Sequence, residues 1–151
     1  MILGFFALIN ANEQHGENSV ANMNSPIFEM SDETFCIHFW FYASAPNIGS
    51  LNIRKVRANN NKSKLLWSFL TSESTEVSDV WQEGQVQYVV SIRFFFLSFF
   101  HDGFFKSQLE NSAMFLTIQA IMGPGEEGGF AIDDITIDQR SCESRKIPII
   151  Q

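Results

Sequence analysis

The residues able to do chemistry in this chain are few and scattered. Two cysteines stand at Cys36 and Cys142, three histidines at His15, His38 and His101, and adjacent carboxylates at Glu126-Glu127 and Asp133-Asp134. No Cys-x-x-Cys pair exists, so a structural zinc site has no ligand pattern behind it. Taken alone, the two cysteines leave a pair of buried thiols and a disulfide about equally open. The histidines lie too far apart for metal-ligand spacing, and His38 falls inside a strand pattern, where a packed or hydrogen-bonded ring is the simpler reading. Ser, His and Asp are all present, but no nucleophile-elbow pattern places them, so hydrolase chemistry has no motif to rest on. Gly123-Pro124-Gly125 lacks the strand-then-helix context of a phosphate loop, and Glu126-Glu127 would repel a phosphate. Two sites survive this sorting. Asp133 and Asp134 either hydrogen-bond nearby backbone and face solvent, or join a hard-cation site, since carboxylates and carbonyls suit calcium or sodium. Asn61-Lys62-Ser63 is an N-glycosylation sequon in a polar loop.

The elements that must position these residues belong to one domain. The chain has 151 residues, 45% of them hydrophobic, enough for one core and too many for global disorder. Its formal net charge is -7, which argues against nucleic acid or an anionic membrane surface as partner. No segment is long enough to span a bilayer; Ile92 to Phe100 contains Arg93 and is about half of the roughly 20 residues required. Met1 to Ala11 lacks a basic start, and a core strand fits it better than a signal peptide.

Hydrophobic alternation predicts short strands joined by polar turns, with no long amphipathic helix. Phe35 to Ala43 is the clearest strand: Ile37, Phe39 and Phe41 share one face, and Cys36, His38, Trp40 and Tyr42 the other. The first set is expected inside a sandwich with Leu51, Ile53, Leu116 and Ile118, and the second under loops. Leu51 and Ile53, continuing toward Lys55, Leu65 to Leu70, Trp81 to Tyr88 and Phe115 to Met122 supply further strands. Along Phe130 to Ile137 the apolar phase shifts from even to odd positions, which predicts a β-bulge at Asp133-Asp134. The pattern as a whole predicts an all-β fold of antiparallel strands, a sandwich or a jelly roll.

Several segments, in order, resemble the MAM domain of receptor phosphatases, neuropilins and meprins. Gly4-Phe5-Phe6 through Asn12 resembles an early strand of that family, and Ala21 to Phe28 with Ser25-Pro26 another, Met23 standing where leucine is usual. Cys36-Ile37-His38-Phe39-Trp40-Phe41 is similar to the family's cysteine-aromatic strand. Gly49-Ser50-Leu51, Leu66-Trp67 and Trp81-Gln82 match further positions, and Gly123 to Ile135 (GPGEEGGFAIDDI) matches the most specific signature. The likeness covers about residues 4–142, with one large exception, and implies a jelly-roll-like sandwich of two antiparallel sheets. The family's opening stretch, with two cysteines and an aspartate-tryptophan motif, has no counterpart here, so one disulfide and at least one strand are expected to be missing.

A second departure lies at Val90 to Gln108. Removing it joins GQVQYV to LENSAMFLTIQ and restores a family-like spacing. The segment holds seven of the chain's 16 phenylalanines, at Phe94-Phe95-Phe96, Phe99-Phe100 and Phe104-Phe105. Two readings stand: translated intron, or an insertion that docks a partner or membrane. The expected organisation is a partial MAM domain over 1–142 with a foreign insert at about 90–108, then a tail over 143–151.

The resemblance implies a disulfide between Cys36 and Cys142 and an extracellular or cell-surface setting. It implies a non-catalytic adhesion or oligomerisation module of a larger secreted or membrane-anchored protein. Its partners would be proteins, with homophilic pairing one option. No cofactor is required; the family allows a calcium or sodium ion near Asp133 and Asp134. The alternatives are an accessory domain of a secreted metalloprotease, which a flanking HExxH motif would favour, and a glycan-binding jelly roll.

Overall fold

Period-two alternation along 34–43 leaves an apolar face that needs a second layer to cover it, and here that layer is a second sheet. A computed structural model of the chain describes residues 7–10, 16–29, 34–72, 80–89, 113–125 and 127–142. Residues 90–108 and 143–151, expected as an insert and a tail, lie outside the described residues, as do His15, His101 and Glu126. Eight strands occur among the described residues: β1 (Ala7–Asn10), β2 (Val20–Asn24), β3 (Thr34–Ala43), β4 (Gly49–Arg57), β5 (Ser63–Leu70), β6 (Gln82–Val89), β7 (Met114–Met122) and β8 (Gly129–Asp138). They form two four-stranded sheets, ordered β1-β8-β3-β6 and β2-β7-β4-β5, with every pairing antiparallel. The described residues are all-β, a sandwich of two antiparallel sheets.

Ile37, Phe39, Phe41, Leu51, Ile53, Leu116 and Ile118 are all buried, and the two sheets meet across them. Phe39 is the centre of an aromatic cluster, its ring 4.9 Å from that of Trp67 on β5. Room for it comes from Gly84, its register partner on β6, where an added Cβ would overlap the ring. The other face of β3 differs from expectation. Cys36 is buried and His38 and Tyr42 are half-buried, but Trp40 is 41% exposed. An aromatic outside a core keeps a strand's propensity high without needing cover, so alternation could not tell the two situations apart.

The phase break in the last strand is a bulge. Trp40 pairs with Asp133 and His38 with Thr136, so Asp134 and Ile135 together oppose the single residue Phe39. Asp134 takes φ 50°, and its N–H donates to Asp133 Oδ1 at 2.8 Å. The extra residue lets Ile132 and Ile135 both turn inward. At the opposite end, Gly49 holds φ 118° where a side chain would collide with the Ile121 carbonyl. Over that turn lies the glycine-proline loop, Gly123 N–H donating to Ile48 O at 2.8 Å and Gly125 N–H to Asn47 O at 2.9 Å.

Candidate functional site

The two outward sheet faces carry the residues that sequence chemistry singled out, and they differ sharply in character. On the β1-β8-β3-β6 sheet, the row through Trp40 reads Asp133, Trp40, Glu83 across three strands. The next row holds Tyr42, whose ring lies 5.9 Å from that of Trp81, just before β6. Trp81 is 37% exposed. Two indoles and a phenol thus sit on one outer face beside carboxylates, an amphipathic surface typical of the residues that anchor protein contacts.

Two rows further along the same face, Cys36 and Cys142 are joined in a disulfide, with Cα atoms 4.9 Å apart. It ties the chain just beyond β8 to the second row of β3. His38 Nε2 lies 3.2 Å from Cys36 Sγ, and Gln85 Nε2 donates to the same sulfur at 3.6 Å. A Cys–His contact at that distance would suggest nucleophilic chemistry in a free thiol. A disulfide sulfur has no thiolate to offer, so the imidazole here packs and hydrogen-bonds. Beyond it, Arg140 and Asp138 form an exposed ion pair at 3.6 Å, too solvated to contribute much.

Asp133 and Asp134 stand at the bulge and differ in burial. Asp133 is half-buried with one carboxylate oxygen engaged by backbone, and Asp134 is exposed. Among the described residues no group of three or more His, Cys, Asp or Glu could hold a metal. Two carboxylates, one already accepting a backbone hydrogen bond, are a partial donor set that does not by itself fit a hard cation.

The outer face of the β2-β7-β4-β5 sheet is polar along its middle. One register row runs Asn22, Gln119, Asn52, Ser68 across all four strands. Gln119 donates to Asn22 Oδ1 at 3.1 Å, and Ser68 Oγ to Asn52 Oδ1 at 2.7 Å. In the adjacent row Thr117 Oγ1 donates to Asn24 Oδ1 at 2.8 Å, and Arg54 Nε donates to Ser63 Oγ at 2.7 Å. Asn22, Asn24, Arg54, Ser63, Thr117 and Gln119, with Asn61, Val56 and Phe115, line an open groove of about 300 Å³. Asn61 itself occupies the β4–β5 turn with φ 54°, exposed, its N–H donating to Arg57 O. The sequence marked Asn61 alone. Its groove neighbours on β2 (Asn22, Asn24) and β7 (Phe115, Thr117, Gln119) come from strands far away in sequence, which no local pattern reveals.

The profile of the family described as MAM domain, meprin/A5/mu, matches residues 2–108. Neuropilin-1 of Gallus gallus is 27% identical over 144 residues, covering 93% of this chain and 13% of that protein. The human MAM domain-containing glycosylphosphatidylinositol anchor protein 1 is 25% identical over 143 residues, covering 95% of this chain and 13% of that protein. The chain therefore spans about an eighth of the length of these relatives. Among solved structures, the cleaved adhesin domain K3 of Lys-gingipain from Porphyromonas gingivalis superposes with a TM-score of 0.55. Its identity is 12%, over 88% of this chain and 72% of that one. A structure of carbohydrate-binding modules from the β-sandwich superfamily superposes with a TM-score of 0.50 at 11% identity, over 89% and 53%. At such identities these two likenesses speak to the sandwich fold. The strands β7 and β8 lie beyond the span matched by the family profile, yet each pairs with two strands inside it.

Proposed function

The chain belongs to the MAM domain family, and from that premise we propose a non-catalytic interaction module of a larger secreted or membrane-anchored protein. Its setting is extracellular or cell-surface, in keeping with its relatives and with a disulfide, which persists in oxidising compartments. Its partners are proteins, homophilic pairing among them. The unit comprises residues 1–142, with 90–108 foreign to the domain. No cofactor enters this reading; a calcium or sodium ion at Asp133 and Asp134 would need donors from outside the bulge.

The observation that carries the proposal is the outward placement of Trp40 and Trp81 on the β1-β8-β3-β6 face. Exposed indoles beside a polar rim are the composition of binding anchors, and truncating an anchor weakens binding by about 2 kcal/mol, roughly 30-fold. The test displays the parent ectodomain on cells and measures adhesion with Trp40→Thr and Trp81→Thr. Adhesion should fall while thermal stability holds. Unchanged adhesion in both variants would reject this face.

A second reading is favoured by one feature, the amide and hydroxyl rows of the opposite face. Such groups suit polyhydroxylated ligands, so sugar recognition is the alternative. Binding on a glycan array that disappears with Arg54→Ala would move the function there; an empty array would remove it.

A further inference from the structure

We propose that Asn61 carries an N-linked glycan whose first sugars lie in the groove on the outer face of the β2-β7-β4-β5 sheet. The chemistry is group transfer in the secretory pathway. Asn61 Nδ2 forms the N-glycosidic bond to the anomeric carbon of an oligosaccharide activated as a lipid diphosphate. The lipid diphosphate leaves, and the amide loses one proton. The acceptor triplet is Asn61-Lys62-Ser63, and its asparagine is exposed at the tip of the β4–β5 turn.

The second observation is what stands beside the acceptor. Asn61 lines the groove together with Asn22, Asn24, Arg54, Thr117 and Gln119, a wall of amide, hydroxyl and guanidinium groups with no carboxylate. The first sugar of an N-glycan presents hydroxyls and an acetamide, which both donate and accept, as the side-chain amides do. Phe115 and Val56 line the same groove and give the apolar face of a pyranose ring a surface to rest on. About 300 Å³ holds one or two sugar units at the attachment end, and the groove opens to solvent for the remainder. A glycan seated there covers the polar face and leaves the Trp40 face clear for a partner. The inference rests on the secreted setting proposed above and is independent of which protein binds the Trp40 face; a glycan seated here would occupy the face that the sugar-recognition reading uses.

The test uses the full chain secreted from a eukaryotic cell line. Intact mass and peptide mapping should show occupancy at Asn61, lost with Ser63→Ala and kept with Ser63→Thr. The folded protein is then digested with an amidase that removes N-glycans, and the release rate is followed. Release should be about three- to tenfold faster from Asn22→Ala and from Thr117→Val than from wild type, the effect of losing about one net hydrogen bond to the seated sugar. Asn22 is exposed on an edge strand, so its variant folds even if the Thr117 variant does not. An unoccupied Asn61 overturns the modification and the seat together. Occupancy with equal release from wild type and the folded groove variants overturns the seat alone.

Discussion

Lys55 of β4 and Tyr88 of β6 meet between the two sheets, the lysine Nζ donating a 2.6 Å hydrogen bond to the tyrosine hydroxyl. The same ammonium lies 4.2 Å from the centre of the Tyr88 ring, and Lys55 is only 6% exposed. A charge so far from water survives because hydroxyl and π-face replace its hydration. Tyr88 is itself held by Phe35, ring centres 5.1 Å apart. The contact therefore fixes one sheet against the other in a defined register, which greasy contacts alone do not do.

Tyr88→Phe keeps the ring and removes the acceptor. Stability should fall by about 1.5–3 kcal/mol, the range for a hydrogen bond to a charged group. Lys55→Met should be milder, near neutral, because it removes the buried charge along with its need for a partner. Urea unfolding of both variants checks this. Equal large losses would mean that packing, not the polar contact, sets the effect.

Phe39→Ala should lower stability by about 3–5 kcal/mol, through lost burial and a cavity at the aromatic cluster. Gly84→Ala should lower it by about 1–3 kcal/mol by crowding the same ring. The two are predicted to couple. Combining Gly84→Ala with Phe39→Leu should recover part of the sum, since the smaller side chain makes room for the methyl. Strict additivity in a double-mutant cycle would show that the ring and the glycine do not share that space.

The inward set on β3 was readable because its period is two and its partners, Leu51, Ile53, Leu116 and Ile118, repeat it. The bulge was readable from a phase break, because a strand cannot bury even and odd residues without an extra residue between them. Lys55 was not, since a charged side chain at the end of an alternating run normally marks the rim. Its partner Tyr88 lies 33 residues away in the other sheet. The amide rows escaped for a similar reason: the pairs that make them, Asn24 with Thr117 and Asn22 with Gln119, are separated by 93 and 97 residues. Periodicity reports which face is buried and says nothing about who stands beside whom.

Deleting 90–108 should preserve the fold and raise soluble yield. The described strands on either side, β6 and β7, are linked through a chain of contacts. Val89 ends β6 beside Tyr88, which pairs with Phe35; Phe35 lies 6.5 Å from the Phe28 ring, and Phe28 bridges to Met114 at the start of β7. Residues 109–113 reach about 17 Å when extended, enough to cross the roughly 10 Å between stacked sheets. Solubility should rise because the deletion removes seven phenylalanines and no described strand. A deletion variant that loses cooperative unfolding would place the segment in the core, and continuous transcript coverage through it would remove the intron explanation.

The Cys36–Cys142 bond should dominate the stability of the C-terminal strand. It spans a sequence separation of 106, a loop whose closure contributes about 4–5 kcal/mol in the chain-entropy model, less in practice. Cys36 is buried, with His38 and Gln85 against its sulfur, while Cys142 is half-buried, so the Cys36 sulfur is the shielded half of the bond. Cys142→Ala should therefore lower stability by about 2–5 kcal/mol, a large share of the 5–15 kcal/mol typical of a domain. Wild type unfolded under strong reductant should fall to the same midpoint as the variant. Alkylation of native secreted protein, followed by mass spectrometry, gives the decisive reading. Two modified cysteines in folded material would overturn the bond and, with it, the oxidising compartment that the bond requires.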